Sequence, residues 1–178
     1  MNVYYGSLPY VSASVVSIGA FDGVHRGHQK LIRQALEHAE ELRVPLIVYT
    51  FDPPPKVYFQ KMMRLCSLEE QLERFARLGV RHVVVQPFDS QYLRREAEDF
   101  HRDLEALNPL ALWVGPDFRY GSQRKGDINT LRNRFNVRVL EPVRCGFGEV
   151  ISSSRIRSLL QNDQQAAAYD LLGWEFVG

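Results

Sequence analysis

The chain has 178 residues, 45% of them hydrophobic, and its 22 Lys and Arg nearly balance its 21 Asp and Glu, giving a formal net charge of +1. This length buries one core and is short for two, so we expect a single domain over residues 1–178. The charge balance gives no reason to expect a protein that coats nucleic acid.

The two cysteines, Cys66 and Cys145, stand far apart without a CxxC pair. This spacing argues against a disulfide framework and against a zinc site, and it fits a reducing, cytoplasmic setting. The sequence has no run of about 18 apolar residues, so we expect no segment that spans a membrane.

Short β-branched runs alternate along the chain with stretches of helical period. Strands are predicted at 14–20, 45–51, 82–88, 110–115 and 137–143, and helices at 28–42, 68–78, 96–107 and around 124–135. The strands are nearly all apolar, as crossover helices on both faces of a parallel sheet require. The order predicts an α/β fold, an open doubly wound (Rossmann-like) parallel five-stranded sheet.

The core of this fold should span about 14–160, followed by a helix and tail over 161–178.

The predicted fold class also indicates where ligands bind. Ligands of such sheets bind beyond the carboxyl ends of the strands, near the point where strand order reverses. The loops after residues 19, 50, 87 and 115 are therefore candidate ligand loops.

The first strand runs into a glycine-rich segment, GAFDGVHRGH, at 19–28. Small residues let backbone approach a ligand, and the free N–H groups of the next helix favour an anion such as phosphate. His25 and His28, at i and i+3, could donate hydrogen bonds to that anion. For two histidines at this spacing, the commoner arrangement is that one caps the helix and the other lies on the surface. A zinc site is a weaker alternative, because the sequence offers no third ligand nearby.

The sequence HRGH at 25–28 resembles the HxGH signature of the nucleotidyltransferase superfamily and stands after the first strand, as in that superfamily. The resemblance implies that His25 and His28 hold the triphosphate of ATP and act as catalytic residues. It also implies ATP contacts at Gly19, Ala20, Phe21 and Gly27.

A second helix start, ISSSRIRSLL at 151–160, combines hydroxyls with two arginines. Serines cap the turn and an arginine one turn later can brace phosphate oxygens, although a solvated surface helix is the ordinary interpretation. The segment resembles the superfamily's counterpart of KMSKS in its ISSTxIR form. That resemblance implies that Ser153 and Ser154 bind ATP and that Arg157 is catalytic.

Together the motifs imply in-line attack by an acceptor phosphate on the α-phosphorus, with release of pyrophosphate. Such chemistry needs positioning and positive donors more than a nucleophilic side chain. Mg²⁺ is expected with ATP, held mainly by phosphate oxygens and water, because this ion keeps much of its hydration shell. No residue of the chain is assigned as a metal ligand.

Further segments resemble the adenylyltransferase module of the bacterial bifunctional riboflavin kinase and FAD synthetase, over residues 14 to about 173. They are TFDPPPKVYF at 50–59, GPDFRYG at 115–121 and KGD at 125–127. The resemblance implies FMN as acceptor and FAD as product, with Asp117 at the adenosine. The residues implied on the flavin side are Phe51, Asp52, Pro53, Phe118, Tyr120 and Asp127. Any one aromatic residue in this set is more simply interpreted as a core residue than as a ligand contact.

Two departures from that family leave alternatives open. Pro54 stands where the family usually has the histidine of FxPHP, which leaves room for another acceptor, such as nicotinate mononucleotide or phosphopantetheine. The β-barrel kinase module that normally follows is absent from the 178 residues. Riboflavin phosphorylation is therefore not predicted, and a separate riboflavin kinase would supply FMN. A flavin- or nucleotide-binding protein without turnover is the third alternative.

Overall fold

Six parallel strands form the main sheet of the protein, whose computed structural model describes residues 1–174. The strands are β1 (Asn2–Tyr5), β2 (Ser14–Ile18), β3 (Leu46–Asp52), β4 (His82–Pro87), β5 (Pro109–Val114) and β8 (Val137–Val139), and a two-residue hairpin is formed by β6 (Arg119–Tyr120) and β7 (Gly126–Asp127). The spatial order is β1-β4-β3-β2-β5-β8. Every neighbouring pair runs parallel.

Helices cover both faces of this sheet. They are α1 (Arg26–Glu41), α2 (Pro55–Gln60), α3 (Leu68–Arg77), α4 (Ala97–Glu105), α5 (Ile128–Arg132), α6 (Ser153–Gln161) and α7 (Gln165–Leu172). Leu31, Ile32 and Ala35 of α1 fall on one helical face and, with Phe75 of α3, build the core on one side. Phe100 and Leu104 of α4 build the core on the other side, as expected of a doubly wound sheet.

The predicted fold class is confirmed, and the strand count is one short. The missed strand, β1, has four residues, lies at the sheet edge beside β4 and is only half buried, so its period-2 signal is weak. Of the segment predicted as a helix around 124–135, the five residues Ile128–Arg132 form the helix α5, and the strand β7 lies directly before them. Residues 175–178 of the predicted tail lie outside the described residues.

Strand order reverses beside β2. The chain moves outward from β2 through β3 to β4, then returns to the other side of β2 to form β5 and β8. The loops that follow β2 and β5 therefore flank the reversal point, where such sheets bind ligands. Within residues 1–174 no helix combines the length and the apolar character that crossing a membrane requires.

Candidate active site

A cleft of about 860 Å³ opens at the carboxyl ends of the strands. This volume is at the upper end of the usual range for small-molecule sites. Its lining includes the loops after β2 and β5 and residues from both sequence motifs: His25, His28, Ser153, Ser154 and Arg157. Two helix starts that are far apart in the chain therefore share one cavity.

The two histidines stack on each other at the start of α1. Their ring centroids are 3.6 Å apart and the ring planes differ by 17°. His25 is the N-cap of α1, where its Nδ1 accepts a hydrogen bond of 3.3 Å from the backbone N–H of His28. His25 thus caps the helix, which is the common role of one histidine in such a pair. Both histidines nevertheless line the cleft.

Burial keeps both imidazoles in their neutral form. It lowers the pKa of His25 to about 4, because a charged ring loses its hydration there. Burial, followed by the repulsion of a charged His25, also lowers the pKa of His28 well below its usual value. The Nδ1 atom of His28 is buried and has no hydrogen-bond partner among the described residues. An unpartnered buried polar atom needs an explanation, and a water, ion or ligand in the adjoining cleft is one that the position of His28 allows.

Phe21 and Gly27 fix the position of the histidine pair. Phe21 adopts the left-handed conformation at φ 49°, and its ring meets His28 edge-on at 5.2 Å and Phe75 at 5.6 Å. A Cβ at Gly27 would lie 3.1 Å from two ring atoms of His25. A side chain at position 27 would therefore require the capping ring to shift by a few tenths of an ångström.

The second motif is tied directly to the first. Ser153, in the first turn of α6, donates its hydroxyl to the backbone oxygen of Asp22 at 3.0 Å. Arg157, one turn later, forms a buried ion pair with the Asp22 carboxylate and donates through Nε to the Met63 oxygen at 2.7 Å. Burial raises the pKa of Asp22, against the opposing effects of the Leu65 N–H and of Arg157. These bonds hold the start of α6 against the loop that follows β2.

Arg157 is therefore buried more deeply than an arginine whose only role is to bind phosphate. It is 2% exposed, and much of its guanidinium charge is offset by Asp22. Its Nη1 atom is buried without a partner among the described residues. The residue lines the cleft, and this nitrogen is the part of the guanidinium that neither Asp22 nor Met63 occupies.

An aromatic wall closes the other side of the cleft. It consists of Phe51, Phe59, Phe88 and Tyr92, all of which line the cavity. Neighbouring rings in the wall meet at centroid distances from 5.4 to 6.0 Å. Phe59 is 60% exposed, so most of its surface is not covered by the protein. Such a wall suits a planar aromatic group.

The loop after β5 brings further predicted residues to the lining. Asp117, Phe118 and Tyr120 all border the cleft. The rings of Phe118 and Tyr120 stack at 5.8 Å, and a hydrogen bond of 2.7 Å joins the Tyr120 hydroxyl to buried His101. Gly19, Ala20, Phe21, Gly27 and Phe51 complete the set of predicted site residues found at the lining.

Three residues predicted on the flavin side do not line the cleft of the described chain: Asp52, Pro53 and Asp127. Asp52 forms an ion pair of 2.7 Å with Arg64. Asp127 caps α5 by accepting from the Thr130 N–H at 2.8 Å, and it pairs with Arg119 at 3.3 Å. The structure gives these two carboxylates partners within the protein, and flavin contacts by the three residues stay a prediction.

Several cleft residues were not identified from the sequence. They are Lys56, Phe59, Phe88, Tyr92 and Arg95. A signal was available for Lys56 and Phe59, since both follow the Pro-rich turn after β3 and continue as α2. Arg95 is held by Asp103 through two hydrogen bonds of 2.7 and 2.8 Å, a pairing that only the folded chain reveals.

Among residues 1–174, no three His, Cys, Asp or Glu side chains form a group that could hold a metal ion. Four carboxylates do reach the lining: Asp22, Glu96, Asp117 and Glu141. Their separate positions suit a cation that arrives with a ligand and is held mostly by that ligand and water.

Comparison with known proteins identifies relatives of the whole α/β unit. A protein of Geobacillus thermodenitrificans, described provisionally as a bifunctional riboflavin kinase/FMN adenylyltransferase, is 49% identical over 161 residues, 90% of each chain. The bifunctional riboflavin kinase/FMN adenylyltransferase of Escherichia coli K12 is 36% identical over 173 residues. That match covers 92% of this chain and 55% of the relative, so the chain spans about half the length of that protein.

Solved structures agree on the architecture. A Streptococcus pneumoniae structure described as a macrolide-efflux protein superposes with a TM-score of 0.80 at 32% identity, over 91% of this chain and 55% of that one. Pantoate-beta-alanine ligase from Francisella tularensis, complexed with beta-gamma ATP and beta-alanine, gives a TM-score of 0.53 at 18% identity over 92% of this chain and 72% of that one, which supports the fold alone.

A family model described as FAD synthetase matches residues 9–155. The matched segment contains the loop after β2, the loop after β5 and the first three residues of α6. With the sequence identity to the Geobacillus protein over nine-tenths of both chains, this match shows that the chain belongs to the FAD synthetase family.

Proposed function

We propose that the protein transfers the AMP group of ATP to FMN and releases pyrophosphate, so that its product is FAD. The observation that carries this proposal is the buried, unpartnered Nδ1 of His28, in a residue that lines the same cleft as the first turn of α6. The family and the names of the Geobacillus and E. coli relatives support the same activity.

The reaction is a displacement at the α-phosphorus of ATP. A phosphate oxygen of FMN forms the new P–O bond, the bond from the α-phosphorus to the α,β-bridging oxygen breaks, and its electron pair leaves with pyrophosphate. The attacking phosphate is already ionised, so no side chain has to remove a proton from it. The protein contributes position and donors aimed at the developing charge.

We assign the electrostatic role to His25, His28 and Arg157. Each neutral imidazole donates one N–H, and Arg157 offers the guanidinium nitrogen that neither Asp22 nor Met63 occupies. ATP is held by the loop after β2, by the start of α6 and by Asp117. The residues of that set are Gly19, Ala20, Phe21, Gly27, Asp117, Ser153 and Ser154.

The flavin lies against the aromatic wall and the loop after β5, with Phe51, Phe118 and Tyr120 as ring contacts. We assign three further residues to the flavin side: Asp52, Pro53 and Asp127. They shape the loops on that side of the cleft, through the Asp52–Arg64 ion pair and the Asp127 cap of α5. The exposure of Phe59 supports a planar acceptor, because covering an exposed aromatic ring with another ring is favourable.

Mg²⁺ enters with ATP as part of the substrate. The described residues supply no group that would hold the ion alone, and its preference for retained water suits coordination by phosphate oxygens. Of the four carboxylates at the lining, Asp22 is paired with Arg157 and Asp117 is assigned to the adenosine, so Glu96 and Glu141 are the ones left to approach the ion.

FMN would come from a riboflavin kinase activity outside the described residues, as an upstream partner. The relatives' names join the two activities. We propose that residues 1–174 form one nucleotidyltransferase domain. Both cysteines are free, which supports a reducing compartment such as the cytoplasm.

The test is product formation from purified protein with ATP, Mg²⁺ and FMN, resolved by chromatography with flavin fluorescence. We expect FAD and pyrophosphate in equal amounts. Nicotinate mononucleotide and phosphopantetheine, supplied in parallel, should give no adenylylated product. Faster consumption of either competitor would contradict FMN as acceptor, and tight FMN binding without pyrophosphate release would contradict the enzyme.

A further inference from the structure

Lys56 connects the two sides of the cleft. It lies in the first turn of α2, after the Pro-rich turn on the flavin side. Its Nζ donates a hydrogen bond of 3.2 Å to the Ser154 hydroxyl at the start of α6, 98 residues away in the chain. Both residues line the cavity, so the ammonium lies at the junction between the flavin side and the ATP side.

The charges around the cleft set Lys56 apart from most other cations there. Carboxylates within the protein already pair with Arg157, Arg95 and Arg119. The two histidines are neutral because burial lowers the pKa of each. Within residues 1–174, Lys56 and Arg124 are the cavity-lining cations that no carboxylate pairs with.

Lys56 differs from Arg124 in what it touches. Its partner, the Ser154 hydroxyl, is a neutral acceptor, and an ionised phosphate oxygen is a stronger one. The start of α6 also offers the free N–H groups and partial positive charge that favour an anion. Pro54, two residues earlier, has no donor of its own, so Lys56 supplies the positive charge of this turn.

We propose that Lys56 is a substrate-binding cation of this cleft, whose ammonium binds a phosphate oxygen beside Ser154 where the polyphosphate of ATP meets the phosphate of the acceptor. This inference rests on the proposed function. It adds a residue on α2 to the two helix starts and gives the flavin-side turn a role in holding phosphate.

The experiment compares Lys56→Ala and Lys56→Arg with the wild type and with Lys30→Ala. Lys30 is an exposed lysine of α1 outside the cavity lining and serves as the matched control. Steady-state FAD formation gives kcat and the KM for ATP and for FMN, and calorimetry gives the affinity for inorganic pyrophosphate. Loss of one charge-assisted bond should lower kcat/KM roughly tenfold or more, with most of it restored by arginine and an unchanged unfolding midpoint.

The two phosphate sources give different patterns. Weaker pyrophosphate binding with a raised KM for ATP places the ammonium on the polyphosphate. A raised KM for FMN with unchanged pyrophosphate binding places it on the acceptor phosphate. Kinetics and pyrophosphate affinity of Lys56→Ala equal to those of the wild type would overturn the inference. If the wild type makes no FAD, the proposed function fails, and pyrophosphate binding still tests Lys56.

Discussion

At the residue scale, His28 is the side chain whose environment most clearly favours ligand binding. Its ring packs between His25 and Phe21, and its Nδ1 is buried without a partner in the described chain. The surrounding contacts fix the orientation of the ring before any substrate arrives. A donor held in this way can stabilise charge without reorganising during the reaction.

Replacement His28→Ala should lower kcat for FAD formation roughly 100- to 1000-fold, the usual effect of removing one preorganised donor. Its unfolding midpoint in urea should stay close to that of the wild type. His82→Ala, at the far edge of the sheet beside β1, is the matched control and should leave turnover unchanged. A His28→Ala enzyme with wild-type kcat would remove the residue from the mechanism.

His25 predicts how stability responds to acid. Its pKa in the folded protein is about 4, whereas the unfolded chain has the ordinary value of about 6.5. Between these values the unfolded chain binds a proton that the folded chain does not, so the free energy of unfolding falls as pH drops through this window, by up to roughly 3 kcal/mol.

The check is urea unfolding at several pH values for the wild type and His25→Asn, which keeps a capping acceptor but does not titrate. The pH dependence should be weaker in the variant. The opposite shift at Asp22, whose pKa is raised by burial, is present in both proteins and cancels in the comparison. Parallel curves would show that His25 does not contribute in this way.

At the scale of elements, the start of α6 is held in place by the loop after β2. The buried Arg157–Asp22 ion pair and the Ser153 hydrogen bond form this connection. Removal of one partner of a buried ion pair leaves the other charge buried and uncompensated. The connection is therefore sensitive to single substitutions.

We expect Arg157→Met to lower the free energy of unfolding by about 3–5 kcal/mol, measured by urea denaturation. Arg33→Met, at an exposed position of α1, is the control and should change stability by less than about 0.5 kcal/mol. The double variant Asp22→Asn/Arg157→Met should recover part of the loss. Equal effects at Arg157 and Arg33 would show that the ion pair does not anchor α6.

The elements themselves were largely predictable. β2, β3 and β4 are mostly apolar runs, and the periodicity of α1 and α3 is strong, so the local sequence pattern was enough to predict these elements. The helix α2 was missed because three prolines at 53–55 mark a turn, whereas Pro55 in fact begins the helix at a position where its missing N–H does no harm. The boundaries of α1 and α3 agree with the predicted ranges within two residues.

At the scale of the whole molecule, the reversal of strand order beside β2 creates the cleft. It brings the loops after β2 and β5 together and leaves room for α6 to close on them. The motifs predicted that two helix starts would share a ligand. The Asp22–Arg157 pair, the Lys56–Ser154 contact and the aromatic wall were not predictable, because each joins residues that only the folded chain makes neighbours.

Because the cleft joins separate parts of the chain, ligands should stabilise the whole protein. A ligand at 100 times its Kd adds about 2.7 kcal/mol to the free energy of unfolding when it binds only the folded state. We expect the unfolding temperature to rise with ATP–Mg²⁺ and to rise further with FMN. In His28→Ala the rise with ATP–Mg²⁺ should be smaller, while equal rises in the two proteins would mean that ATP does not contact His28.

The central claim is that the loop after β2 and the start of α6 hold one polyphosphate between them. The most direct test is a crystal structure of the protein with the α,β-methylene analogue of ATP, which cannot transfer its AMP group. The account predicts triphosphate oxygens within hydrogen-bond distance of both the His28 ring and the first turn of α6, in the same cleft. A triphosphate bound at only one of these two places, or outside the cleft, would contradict it.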